Sequence, residues 1–548
     1  MVPMSTHDVV NQPPPRVDLD EYDDHPALVE AVGRHDAAWA HDRLHATGRR
    51  VGTDAFQRDA ARANRSEPVL HTHDRYGHRI DRVDYDDAYH RVISAAVADG
   101  AHTGADADPR PGANVARAAT FLLYAQIEPG HACPVSMTHA VVPVLTQHPE
   151  VGEQWMPRVL STSYDPELRA GKPSALFGMA MTEKQGGSDV RANTTLARPL
   201  GSGRYALTGH KWFCSAPMSD GFLVLAQAPG GLSCFLVPNL RDDGTRNGIR
   251  IQRLKDKLGN RANASSEIEY EDAEGRLVGD EGRGVRTIID MVAGTRLDCV
   301  LGSAAGMRQA VAEAAWHARH RRAFGALLAD QPAMQGVLAD LQLESEAATA
   351  TAMRLARAYD VDASDEENAF RRLATAVAKY WICKRGPGHA YEALECLGGN
   401  GYTETFPLAM RYREQPVMAV WEGSGNVIAL DVLRALAREP DAFAAFDAEV
   451  SRARGADARL DGFLDGMRRL VAEVAADPAP ERRARQLVAT LALALEASLL
   501  VRFAPAAVAD GFVAARLGRD GDAVGAGIGG LYGALPAGVD AAAIAARI

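Results

Sequence analysis

Apolar residues in the first third of the chain recur at i, i+3 and i+4, the spacing of one helix face. HPALVEAVGRHDAAWAHDRLHATG and ARAATFLLYAQIE both follow it, and CPVSMTHAVVPVLTQ carries a helix expected to break at Pro143, where a backbone donor is lost. PVLHTHDRYGHRIDRVDYDD interrupts this region and predicts a short hairpin around Tyr76 and Gly77. Between Gly178 and Glu281 the period falls to two. RYALTGHKWFCSA, GFLVLAQA, LSCFLVP, GIRIQRL and SSEIEYEDA are short alternating runs separated by glycine, which predicts an antiparallel barrel or sandwich. After Gly284 the helical period returns in three or four long amphipathic stretches with short connections, a bundle. Pro440 marks a boundary, and an Ala- and Arg-rich helical segment follows it. The pattern predicts an α+β multidomain chain: an α domain over 1–178, an antiparallel β-barrel domain over 179–284, an α bundle over 285–440 and an extra helical domain over 441–548.

The longest apolar run, LVATLALALEASLLV at 487–501, contains Glu496 and falls short of the roughly 20 residues that cross a bilayer. A buried core helix is expected there, with no membrane partner. Composition adds little that is unusual for a soluble globular protein, at 47% hydrophobic and 24% charged. The net charge of −11 excludes coating of nucleic acid by bulk positive charge. Six cysteines are scattered without a C-x-x-C spacing, and the N-terminal residues lack the apolar core of a signal peptide. Both features point to a reduced, cytoplasmic chain. His71, His73 and His78 lack a fourth ligand and read as a solvated loop, so no metal is expected. GAGIGG at 525–530 has too little chain after it for a dinucleotide-binding unit and reads as a loop.

Chemistry concentrates in three segments. MTEKQGGSD at 181–189 combines Thr182, paired glycines and Ser188, which lets backbone N–H groups and hydroxyls approach a planar or anionic ligand. GHKWFCS at 209–215 supplies an aromatic pair and then small polar residues. VWEGSGN at 420–426 sets a carboxylate, Glu422, between an indole and very small residues.

MTEKQGGSDV, GHKWF, RLKDKLGNRANAS, RRAFG, CLGGNGY and WEGSGN followed by LDVLR occur in that order, and the chain resembles the acyl-CoA dehydrogenase family. Within the family it is similar to the AidB branch, flavoproteins linked to the adaptive response to DNA alkylation. The likeness runs from NQPPP to beyond residue 440. It implies FAD held between the β domain and the bundle, with a neighbouring subunit completing the site in a homotetramer. By resemblance, Met181, Thr182, Gly187 and Ser188 contact the cofactor, and Trp212, Phe213, Cys214 and Ser215 line its ring. Trp421, Gly423, Ser424, Gly425 and Asn426 form the loop against it. Arg321 would reach a partner's FAD phosphates, and Gly398 and Gly399 would sit at the adenosine side. The resemblance makes Glu422 the base that removes the proton α to a thioester. Some members carry that base on the bundle helix instead, where this chain has Thr295. Trp421 replaces a tyrosine common in the family, as in the AidB branch, and its larger ring is expected to reshape the acyl site. The branch implies weak activity on isovaleryl-CoA with an unknown electron acceptor.

The same branch implies a second role, contact with double-stranded DNA. Residues 441–548 carry 12 arginines, no lysine and 14 acidic groups, so the segment is not cationic in bulk. Its arginines cluster, however, at Arg468 and Arg469 and at Arg482 and Arg483, and Arg434 could join them. These clusters read either as a DNA-binding face or as solvated helix surface with i, i+4 pairs.

Overall fold

The computed structural model describes residues 6–517 and 532–548. The GAGIGG motif lies outside the described residues. The N-terminal part is helical, apart from an antiparallel hairpin of β1 (Val69–His73) and β2 (Arg79–Asp84) that turns through Gly77. His71 and His78 pair with Asp84 and Asp74 in this hairpin.

Helix Ala113–Ala125 is buried on every side, which suits its run of Ala, Val, Leu and Phe. Its single cation, Arg117, is fully buried and forms a fork with Asp298 of helix Gly284–His320 at 2.5 and 2.8 Å. His139 of helix Ala132–Gln147 contacts the same carboxylate at 3.1 Å. A charge buried this deeply is tolerable only when its donors are all used, so this triad pins the N-terminal helices to the bundle. Helix Ala132–Gln147 does not break at Pro143 as the sequence suggested. Pro143 sits on the exposed side of the helix, where the carbonyl left without a donor can be hydrated.

The middle region has seven strands: β3 (Phe177–Ala180), β4 (Leu196–Gly201), β5 (Arg204–Ser215), β6 (Gly221–Ala228), β7 (Gly231–Pro238), β8 (Ile249–Leu254) and β9 (Ser265–Val278). Antiparallel pairs run β6–β7–β9–β5–β4, and Leu196 of β4 meets Gln227 of β6 in a parallel pairing that closes the ring. Strand β3 adds parallel to β6, and β8 adds to β9. The barrel is therefore antiparallel except at its closure and at β3. Phe222, Val224 and Ala226 point into the barrel with Phe235, Val237 and Ile268, whereas Leu223 and Leu225 pack outward on the helical layer. Burial of both faces explains why GFLVLAQA is apolar without a break.

The bundle consists of helices Gly284–His320, Pro332–Ala358, Asp365–Cys396, Leu408–Met418 and Gly425–Arg438. The segment after Pro440 packs into the same hydrophobic core as the bundle. Its helix Ala484–Phe503 is almost wholly buried, and one core runs from Tyr22 through Phe370 and Trp381 to Leu493 and Ile544. By length and composition this helix could cross a membrane, but here it is packed inside the fold. Buried polar contacts join the segment after Pro440 to the bundle: Trp381 donates to Glu496 of this helix at 3.0 Å, and Arg354 pairs with Glu449 of helix Pro440–Ser451 at 2.9 Å.

Candidate active site

Glu422 lies in the tight connection between helices Leu408–Met418 and Gly425–Arg438. Its backbone is left-handed, at φ +57°, and Gly423 follows at φ +105°. A glutamate in that region costs on the order of 1–3 kcal/mol and persists only when its surroundings hold it. Here three consecutive carbonyls each accept from a cation. Lys379 Nζ donates to Trp421 O at 2.8 Å and to Gly423 O at 2.5 Å, and Arg296 Nε donates to Glu422 O at 3.0 Å. Arg296 is fixed in turn by Asp431 at 2.8 Å. A side chain at Gly423 would be strained at its positive φ and would meet Ile428, and one at Gly425 would press on the flexible end of Lys384, so the backbone demands glycine at 423 and space favours it at 425.

The Glu422 carboxylate accepts from Thr295 Oγ1 at 2.9 Å. Burial raises its pKa, and the Thr295 hydrogen bond, Arg296 and Lys379 offset this only in part. The result is a carboxylate more basic than one in water, on a backbone that cannot swing away, which suits it to take a proton from carbon.

The β side of the site is organised by a buried ion pair that the sequence motifs did not single out. Lys211 Nζ, fully buried, donates to Glu183 Oε1 at 2.8 Å and to Leu225 O at 2.7 Å. Burial pushes the Glu183 pKa up, but donors from Lys211, Thr194 and Thr195 outweigh it and hold this carboxylate well below the usual range. Glu183 thus ties the MTEKQGG segment to strand β5. Trp212 N donates to Thr182 O at 2.8 Å across the same junction. Gly187 folds back so closely over Thr182 that any Cβ would collide with the threonine hydroxyl. The pairing of β5 with β9 is irregular between Lys211 and Cys214, and Phe213 is left half exposed there. Lys255 Nζ sits 3.2 Å from the centre of the Trp212 ring.

Met181, Thr182, Trp212, Phe213 and Ser215 are therefore gathered at one junction, with Gly187 and Ser188 exposed beside it. Cys133 links this junction to Glu422. Burial pushes its thiol up to about 11, with Ser215 and Lys257 acting against the rise and the Glu422 charge adding to it. Cys214 does not face the junction. Strand alternation turns it into the barrel core beside Val224 and Ile268, and burial raises its thiol to about 12. Asn426, expected at a cofactor, accepts from Arg485 of the C-terminal helices at 2.8 Å.

Arg321, Gly398 and Gly399 do not join Glu422 within one chain. Arg321 lies 26 residues beyond Thr295 at the end of the same long helix, roughly 39 Å away along its axis. It donates to Asn11 O at 2.7 Å, and the two glycines are exposed at a nearby turn. Phe324 beside them is 99% exposed.

The residues present fit a flavin. Among the described residues, Phe213 offers a half-exposed aromatic face, the buried Asn263 amide has neither its nitrogen nor its oxygen bonded, and the indole N–H of Trp421 has no partner. Such buried polar groups are costly unless something bonds to them, and an isoalloxazine carries both donors and acceptors. Among the arginines expected to contact DNA, Arg468 is held by Asp447 at 2.9 Å, Arg483 by Glu473 at 3.1 Å and Arg434 lies 3.6 Å from Asp431. Arg469 and Arg482 are exposed.

Comparison with known proteins agrees with this arrangement. Residues 11–166 match the adaptive response protein AidB N-terminal domain, residues 178–273 the acyl-CoA dehydrogenase middle domain and residues 282–437 the acyl-CoA dehydrogenase C-terminal domain. The chain is 47% identical over 460 residues to AidB of Escherichia coli (strain K12), covering 83% of this chain and 85% of that one. It is 30% identical to acyl-CoA dehydrogenase family member 11 of Caenorhabditis elegans, over 72% of this chain and 66% of that one. The crystal structure of Caenorhabditis elegans ACDH-11 in complex with C11-CoA superposes with a TM-score of 0.86 at 25% identity, covering 93% of this chain and 92% of that one. An acyl-CoA dehydrogenase from Bacillus anthracis complexed with FAD shares the fold, with a TM-score of 0.62 at 20% identity over 78% of this chain and 76% of that one.

Proposed function

The chain belongs to the AidB branch of the acyl-CoA dehydrogenase family, and from that premise we propose that it is an FAD-dependent dehydrogenase that desaturates a short or branched acyl-CoA between its α and β carbons. The observation that carries this reading is the immobilised, abnormally basic Glu422 carboxylate beside the junction of β5 with the MTEKQGG segment. Met181, Thr182, Gly187, Ser188, Trp212, Phe213, Ser215 and the loop Trp421–Asn426 would hold FAD, with Arg321, Gly398 and Gly399 supplied by a neighbouring copy in a homotetramer. When bound, FAD supplies a hydride acceptor.

Glu422 removes the α proton of the thioester. Thr295 steadies the ionised carboxylate before the transfer and keeps it aimed afterwards, and Lys379 and Arg296 prevent the loop from relaxing away from the reacting carbon. Trp421 covers the crevice and excludes water. ACDH-11, solved with C11-CoA, supports a thioester as the substrate class, and the indole at 421 favours a compact acyl group such as isovaleryl.

The test is spectroscopic. Purified protein is expected to carry a yellow flavin band that isovaleryl-CoA bleaches in stopped flow, and Glu422→Gln is expected to retain the band without bleaching. A chain that never binds flavin, or bleaching unchanged in the variant, would refute the reading.

A second reading, protection of duplex DNA against alkylation, rests on the likeness to AidB and on exposed Arg469 and Arg482. Retention on duplex DNA that declines with added salt and is lost in an Arg469→Ala, Arg482→Ala double variant would support it. No retention at low salt would dismiss it.

A further inference from the structure

A second cavity, of about 430 Å³, lies at the opposite end of helix Gly284–His320 from Glu422. Trp316, which lines it, is 21 residues past Thr295, roughly 32 Å along the helix. The N-terminal segment Pro13–Pro15 forms one wall and is fastened there by Trp316 Nε1, which donates to Pro14 O at 2.8 Å. Leu397, Phe406 and Met410 give the cavity an apolar interior.

Its polar lining is unusual in what is left unbonded. Four arginines line it. Arg16 is paired with Glu21 and Asp24, Arg58 with Asp54, and Arg65 donates to the carbonyl of Glu404. Arg411 is only 5% exposed, and among the described residues its guanidinium meets no carboxylate within salt-bridge distance and no hydrogen-bond acceptor. His317, also 5% exposed, has both ring nitrogens without a partner. Among the described residues Glu313 accepts only from Gln309, at 3.2 Å.

The Arg411 Nε–H is buried without an acceptor, and the rest of the guanidinium, also unbonded among the described residues, is left to an anion or water in the cavity. Four acids face Arg411 without bonding to it: burial pushes Glu313 and Glu414 up to about 7, while Glu21 is taken up by Arg16 and Glu128 by the N–H groups of Gly130 and His131, so none of them pairs with the guanidinium directly. Burial also lowers His317 to about 4, which leaves a neutral imidazole with one N–H to donate. The cavity thus presents a planar five-donor cation and a second donor at the edge of an apolar chamber, in the volume range of small-molecule sites.

We propose that this cavity is a binding site for a small organic carboxylate, whose anionic head pairs with Arg411 and whose apolar body packs against Trp316, Phe406 and Met410. The site is separate from Glu422 and from the dehydrogenation proposed there.

The test is isothermal titration of the flavin-loaded protein with phenylacetate and with phenylacetamide, which has nearly the same shape but a neutral head. Phenylacetate is expected to bind at least about tenfold more tightly than the amide. Arg411→Leu is expected to abolish that heat, and Glu422→Gln to leave it unchanged, which separates this proposal from the dehydrogenase reading. Should Arg411→Leu fail to fold, crystals of the wild-type protein soaked in 4-bromophenylacetate are expected to give an anomalous bromine peak inside the cavity. No heat at millimolar phenylacetate, equal affinity for the amide, full binding by Arg411→Leu, or bromine found only elsewhere would each overturn the proposal.

Discussion

The loop at 420–426 and the arginine-bearing helices after residue 440 both rely on cations, yet they use them in opposite ways. Lys379 and Arg296 are spent on the partly buried backbone carbonyls of a strained turn. Arg468 and Arg483 meet carboxylates on partly exposed helix faces. A cation bonded to buried carbonyls has no alternative partner, so losing it strands the acceptors. A surface cation exchanges its partner for water at little cost. The number of basic residues in a segment therefore says little about function. What matters is which atoms they answer.

The largest effect that sharpens this contrast is expected at the carboxylate the turn exists to hold. Glu422→Gln preserves the shape and the contact to Thr295 but removes the base, and should slow acyl-CoA-dependent flavin reduction by roughly 10²–10⁴-fold in stopped flow. Next is Lys379→Met, which leaves the carbonyls of Trp421 and Gly423 without a donor. It should lower stability by about 3 kcal/mol in denaturant titration and reduce turnover with it. A loss as small as that of a surface pair would break the comparison.

Thr295→Val acts more finely. The Glu422 pKa is already raised by burial, and removing a donor to its ionised form raises it further. Because the base must be ionised, activity disappears as pH falls through that pKa. The acid limb of the pH–rate profile should therefore move to higher pH, by about one unit. The smallest effect is expected from Arg468→Ala or Arg483→Ala, each under about 1 kcal/mol and smaller still at high salt.

Much of this was legible in order along the chain. The change of period at Gly178 and its return at Gly284 located the barrel and the bundle, because alternation and 3.6-residue spacing are local consequences of which side chains face the core. The buried helix at 487–501 followed from its composition. Pro143 misled, since a proline on an exposed helix face is tolerated where a buried one is not. Cys214 was placed at the ring by adjacency in sequence, although alternation along β5 sends it to the opposite side from Phe213 and Ser215. Glu183 and Lys379 went unremarked, because a charged residue inside a motif or a helix looks like any solvated one until its neighbours are known. An alert reader had one signal: Lys211 and Lys379 each stand in a stretch that is otherwise apolar or aromatic, where an unpaired ammonium would be expensive.

The sequence by itself determined the succession of helical and strand regions and the family, since periodicity and a contiguous motif need only neighbouring residues. Tertiary structure alone decided that Glu422 is basic and immobile, that the last helices share one core with the first, and that Arg411 forms no ion pair among the described residues. Each of these depends on groups tens or hundreds of residues apart, and only folding sets the distance, the burial and the competition among partners that fix their energies.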